Sequence, residues 1–221
     1  MQTFETPAPI SAVLAIPAGR VRLIAADRAD TTVEVLPANA SKGRDVRAAE
    51  QTGVEFGDGV LRVVAPENNQ LMGASGSVEV TVRLPAGSRV EARAAATEFR
   101  GAGRLGDVEL EGAHGPVELD EAASVRVTTA AGDVTVGRLG GPAEISTQKG
   151  DIRIAEAARG RLVLRTQSGD VAVGAATGVS ASLDAGTGYG RIDNALRNTD
   201  GTPGLTIHAT TAHGDITARS L

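Results

Sequence analysis

The chain has no cysteine and no tryptophan, and only one tyrosine and three phenylalanines among 221 residues. Without cysteine, disulfides, thiolate metal sites and cysteine nucleophiles are all excluded. With so few aromatic rings the interior must be built from valine, isoleucine, leucine and alanine, and the usual stacking platforms for sugars are missing. Lysine occurs only at Lys42 and Lys149, and the formal net charge is −5. That balance argues against a nucleic-acid surface, whose affinity rests on clustered Lys and Arg neutralising phosphates. No stretch approaches the ~20 apolar residues of a membrane span. The opening Met1-Gln2-Thr3-Phe4-Glu5-Thr6-Pro7 lacks a basic segment followed by an apolar run, so a cytoplasmic location is expected.

Glycine, by contrast, is abundant at 28 residues, with neither a third-residue period nor a Gly/Ser linker. Collagen and flexible tethers are excluded, and many tight turns are implied. From Val90 onward one phrase recurs: an alternating apolar stretch, a polar turn, Gly-Asp, then a second alternating stretch. Val125–Val136, Ala143–Ile154 and Leu162–Val173 align without a gap. The position after the turn glycine marks the register at Glu98, Pro116, Asp133, Asp151, Asp170, Arg191 and Asp215, at intervals of 18, 17, 18, 19, 21 and 24 residues. The lengthening comes from turn insertions, because Leu183 and Ile207 lie eight residues before their register positions whereas Val127, Ile145 and Leu164 lie six before theirs.

Self-similarity at a fixed period marks a solenoid, whose units bury their apolar side only by stacking on neighbours. The period of two within each phrase requires strands with one buried face. Eighteen residues at ~3.3 Å each give a contour of roughly 60 Å, enough for one coil of two or three strands, with coils ~4.8 Å apart and paired in parallel. An all-β fold follows: a single-stranded β-solenoid with ~18-residue rungs, right-handed by the usual preference of parallel connections. Gly115, Gly132, Gly150, Gly169, Gly190 and Gly214 fall in one corner column. Thr129, Thr147, Thr166, Thr187 and Thr211 fall in another, where stacked hydroxyls could bond between rungs. In chain order, Arg191 interrupts the aspartate column before Asp215, and the coil at Ile207–Ala218 comes last, with a strand edge to expose or cap.

Residues 1–89 read as a β-rich N-terminal region or cap, and residues 90–221 as the solenoid repeats, the whole forming one continuous unit. Gly57-Asp58-Gly59 between alternating runs signals a hairpin and hence antiparallel pairing. A short helical turn is expected near Asp45–Gln51. Ile16-Pro17-Ala18-Gly19-Arg20-Val21 resembles Leu84-Pro85-Ala86-Gly87-Ser88-Arg89-Val90, which suggests an early irregular coil inside this region. Asn68–Ser77, polar and Gly-containing between strands, reads as a mobile loop.

The order of a β-rich region, an apolar strand ending in Leu-Pro-x-Gly (Val78–Gly87) and Thr-x-x-Gly-Asp-[Val/Ile]-x-[Val/Ile] repeats (Thr129–Val136, Thr147–Ile154, Thr166–Val173) resembles the bacterial β-strand-repeat "putative adhesin" family, a domain family of unknown function. The resemblance covers essentially the whole chain. It implies a single-stranded β-solenoid without known catalytic residues and, in some relatives, a role at the cell envelope or in envelope-stress signalling.

Each candidate site has a structural alternative. Gly101-Ala102-Gly103-Arg104-Leu105-Gly106 matches G-x-G-x-x-G, but an alternating strand follows where a dinucleotide site needs a helix. Asp133, Asp151 and Asp170 would stack ~4.8 Å apart and repel by roughly 1 kcal/mol per pair, which a cation could relieve. Aspartate after glycine also accepts local backbone N–H bonds, and the Gly-Gly-x-Gly-x-Asp calcium repeat is absent. His114, His208 and His213 read as surface positions, and no Gly-x-Ser-x-Gly elbow is present. One threonine per rung does not make the paired rows of an ice-binding surface. Catalytic, cofactor-binding and metal-binding residues are therefore each expected to be none.

The functional expectation is a non-catalytic scaffold that binds a protein partner. The alternatives are a carbohydrate-binding or adhesin-like protein, since polysaccharide lyases also use β-helices, and a self-assembling structural element.

Overall fold

A computed structural model describes residues 1–66, 76–198 and 202–221. The loop expected at Asn68–Ser77 falls, up to residue 75, outside the described residues. Backbone contacts group the chain into two compact units, Met1–Gly115 and Pro116–Leu221. No helix is long and apolar enough to cross a membrane among the described residues.

The first unit contains β1 (Gln2–Glu5), β2 (Ser11–Ala26), β3 (Asp30–Pro37), α1 (Gly43–Gln51), β4 (Gly53–Gly57), β5 (Val60–Val64), β6 (Val78–Pro85) and β7 (Arg89–His114). In β2 the buried residues are Ala12, Leu14 and Ile16, then Val21, Leu23 and Ala25. The alternation changes phase across the corner Pro17–Arg20, where Gly19 has a positive φ. One strand thus supplies two sides of a coil, the early coil expected from Ile16–Val21. It pairs in parallel with β7 (Ala12↔Val90, Val21↔Phe99) and, on its other side, with β5 and β6. Outside these lie antiparallel pairs: β3 on β6, β1 on β3, and β4 on β5. The β4–β5 hairpin turns through Asp58 and Gly59, both with positive φ, the conformation that an Asp-Gly two-residue loop favours.

The second unit contains β8 (Val117–Ala131), β9 (Val134–Leu139), β10 (Ala143–Lys149), β11 (Ile152–Ala157), β12 (Gly160–Ser168), β13 (Val171–Ala175), β14 (Ala181–Tyr189), β15 (Ile192–Ala195), β16 (Leu205–His213) and β17 (Ile216–Ser220). Its strands stack in parallel with equivalent residues in register. Ile145 lies between Val127 and Leu164, and Ile152 between Val134 and Val171. All six of these side chains are buried, each contributing on the order of 1.5–3 kcal/mol. The fold is an all-β solenoid with mixed parallel and antiparallel pairing.

The stacking order departs from chain order. Strand β16 pairs with β12 on one side and β14 on the other, and β17 lies between β13 and β15. The last rung in sequence is therefore internal, and the β14–β15 rung is the open end among the described residues. Two corrections follow: Ile207–Ala218 is not the edge coil, and Asp215 stands between Asp170 and Arg191. The physical reason lies in the inward column Ile154, Val173, Ala218, Asn194. An asparagine amide enclosed among aliphatic groups would be costly. At the exposed end, Asn194 Oδ1 instead accepts the Leu196 N–H at 3.1 Å.

Candidate functional site

The Gly-Asp corner is the most regular chemical feature. Asp133 Oδ1 accepts the Asp151 N–H at 2.9 Å, Asp151 Oδ1 that of Asp170 at 2.9 Å, and Asp170 Oδ1 that of Asp215 at 2.8 Å. Asp215 Oδ1 then accepts the Arg191 N–H at 2.8 Å. Each carboxylate therefore caps the next rung's backbone, the local role aspartate takes in turns. The remaining oxygens of Asp151 and Asp215 meet Arg153 at 2.7 Å and Arg191 at 3.2 Å. Among the described residues no group of three or more His, Asp or Glu is placed to hold a metal.

The threonine column lies inside the corner and works differently from hydroxyl-to-hydroxyl exchange. Thr166 donates to the Gly150 carbonyl, Thr211 to that of Gly169 and Thr187 to that of Gly214, each at 3.0 Å. These three hydroxyls thus bond the corner glycine of the preceding rung in spatial order, while Thr129 and Thr147 donate within their own rung to the Ala131 and Lys149 carbonyls at 3.4 and 3.3 Å. Thr129, Thr147, Thr166 and Thr211 are buried, so they present no outward face.

The Arg191 N–H, and after it the Arg191 guanidinium, hold the Asp215 carboxyl below its ordinary range. A carboxyl depressed in the folded state stabilises the protein above its unfolded pKa of ~3.9, and that stabilisation is lost as pH falls through the lower folded value. Asp215→Asn retains an oxygen for the N–H bond but loses the charge. The wild type is expected to exceed Asp215→Asn in stability at pH 7, with the gap closing below about pH 4. Urea unfolding at a series of pH values measures it; a gap unchanged down to pH 2 would contradict the pairing.

Gly101–Gly106 lies within β7, and a Cβ at Gly103 would overlap the Ala25 carbonyl. Gly103 and Gly106 permit close backbone approach, and no helix begins there. His114 and His213 are exposed, with His213 stacked on Tyr189 at 5.1 Å. His208 is half-buried, and its Nδ1 lies 3.1 Å from Asp184 Oδ2. Sequence reading missed this pair. Its signal was the shared offset of Leu183 and Ile207, which places the residues that follow them side by side. Around the pair, Arg161, Val163, Arg165, Ala185, Gly186 and Thr210 complete an outward groove of about 310 Å³.

A second groove, of about 430 Å³, crosses β11, β13 and β17 between Arg153 and Arg219, over a floor of Ala155, Ala172 and Gly174.

The Toastrack DUF4097 family profile matches residues 14–220. Among solved structures, a protein of Bacteroides fragilis described as a putative adhesin is similar at 14% identity, covering 98% of this chain and 95% of its own, with a TM-score of 0.56. One from Parabacteroides distasonis, described in the same words, is similar at 14% identity over 98% and 95%, with a TM-score of 0.53. At these identities the likeness shows the fold alone. Among curated proteins none matches the sequence. With the profile spanning nearly every coil, the chain belongs to the Toastrack DUF4097 family.

Proposed function

We propose that this protein is a non-catalytic, adhesin-like scaffold that binds a protein partner, in an envelope-stress or regulatory setting of the kind its family resemblance implies. The observation that carries this reading is the open β14–β15 rung. Each of its strands has a parallel neighbour on one side only among the described residues, leaving a row of backbone donors and acceptors for a partner strand. Ile192 is 46% exposed, in a column that Ile216, Val171 and Ile152 bury on the inner rungs, and the ring of Tyr189 beside it is 75% exposed. Stacked parallel rungs give a rigid presenting surface, because each strand behind the edge is locked on both sides.

The test compares wild type with Ile192→Lys, which puts a charge on the edge and leaves the buried columns intact. Affinity purification from native lysate is expected to recover one stoichiometric protein with the wild type and to lose at least nine-tenths of it with the variant. Light scattering over a concentration series separates a foreign partner from a second copy of this chain. A monomeric profile together with no stoichiometric partner would overturn the reading.

A further inference from the structure

The geometry points to a second binding site, for a carboxylated saccharide such as a uronate residue of an acidic glycan, on the outward face of β12, β16 and β14. Three rungs meet there, and the exchanged stacking order puts β16 in the middle. Arg161, Val163 and Arg165 of β12 face Thr206, His208 and Thr210 of β16, and these in turn face Ser182, Asp184 and Gly186 of β14.

Charge is matched differently here from the neighbouring coils. Arg126 meets Glu144 at 3.5 Å and Arg138 meets Glu156 at 3.4 Å, each across adjacent rungs. The cross-rung neighbours of Arg161 and Arg165 are instead Thr206 and Thr210, and of Arg165 also Ser146. Neither guanidinium has an ion-pair partner among the described residues. Four residues apart on one strand, their Cα atoms are separated by ~13 Å, so they bracket the groove rather than share one point.

Guanidinium groups bind carboxylate and phosphate oxyanions through paired N–H donors. Between them, the groove selects against a ligand that is anionic throughout. Asp184, 81% exposed, repels a second negative group, and it is paired with the 33% exposed His208. Asp184, His208 and Thr210 together offer acceptors and donors for hydroxyl groups. A ligand with one carboxylate and several hydroxyls satisfies both halves of the groove; free phosphate or a polyanionic peptide satisfies only one. Gly186 leaves open space beside Thr210, since an added Cβ there meets nothing within 4 Å. No phenyl, phenol or indole ring lines the groove, so binding rests on charge and hydroxyl contacts and should weaken with salt.

The groove uses outward side chains of β12, β16 and β14, whereas edge binding uses the backbone of β14 and β15, and the experiment keeps the two apart. Backbone amide signals of the isotope-labelled protein are followed while trigalacturonate is added, with maltotriose, hexaglutamate and inorganic phosphate as parallel probes. Trigalacturonate is expected to move signals in 161–165, 184–186 and 206–210. Its apparent affinity should fall at least tenfold in Arg161→Gln/Arg165→Gln. Gly186→Glu, which fills the notch with a carboxylate and keeps both arginines, should weaken it similarly, while Ile192→Lys leaves it unchanged. Equal binding of maltotriose would remove the role of the carboxylate. Hexaglutamate or phosphate binding as tightly as trigalacturonate would remove the saccharide, and absence of any shift at tens of millimolar would remove the site.

Discussion

Ile216→Ala is expected to destabilise the protein by roughly 2–5 kcal/mol, whereas Ile192→Ala is expected to cost less than about 1 kcal/mol. The two isoleucines occupy the same column and pair directly with each other. Counting along the chain puts Ile216 in the outermost rung and Ile192 inside it. The exchanged order reverses this: Ile216 lies between Val171 and Ile192 and is 1% exposed, while Ile192 faces the open end. Truncating Ile216 leaves a cavity walled by neighbours on both sides, which can relax only in part. Truncating Ile192 removes carbon already in contact with water. Urea unfolding of the two variants gives the comparison directly. Amide exchange adds a second reading, with β15 amides exchanging before those of β17 although β17 comes later in sequence. A larger loss from Ile192→Ala than from Ile216→Ala would disprove the stacking order, and with it the open edge and the groove around His208.

Gly150→Ala is expected to cost roughly 3 kcal/mol or more, a fall in melting temperature of about 6–12 °C for a chain of this size. Two separate penalties act at this corner. The backbone has φ of +144°, which side-chain-bearing residues rarely adopt, and a Cβ would overlap the Gly132 carbonyl oxygen of the rung below. That oxygen cannot withdraw easily, because the adjoining Asp133 carboxylate bonds the Asp151 N–H. Relief therefore requires separating two rungs that share a hydrogen-bonded ladder. Gly53→Ala serves as the control: it is exposed, and an added Cβ meets nothing nearer than the Val64 carbonyl at 3.9 Å. Its stability should stay within about 0.5 kcal/mol of wild type. Thermal unfolding followed by circular dichroism distinguishes them, and equal melting temperatures for the two variants would show that the corner tolerates a side chain.

Residue types dictate part of this fold locally, and assembly decides the rest. The coil period, the inward columns through Val127, Ile145 and Leu164, and the corner glycines were legible because alternation and backbone preference are properties of a few adjacent residues. The Asp58–Gly59 hairpin and the helix covering Asp45–Gln51 were legible for the same reason. The Asp column could be placed at the corner from the sequence, but its backbone-capping role could not, because that role rests on hydrogen bonds between residues 18 or 19 positions apart, Asp133 with Asp151 and Asp151 with Asp170.

By itself the sequence determined an all-β chain that must stack its coils to bury small aliphatic side chains, since no single phrase can hide its apolar face alone. Only the tertiary structure decided which coil sits on which. Both β14 and β16 carry the alternation and the threonine that fit over β12, so the repeat pattern admits either order. The choice follows from burial: Leu205, Ile207 and Ile216 gain by being enclosed on both sides, whereas Asn194 and Arg191 keep their polar groups solvated only at an open end. That exchange seats His208 between Val163 and Asp184, next to the strand that carries Arg161 and Arg165, where stacking in chain order would put Asp184 in the middle.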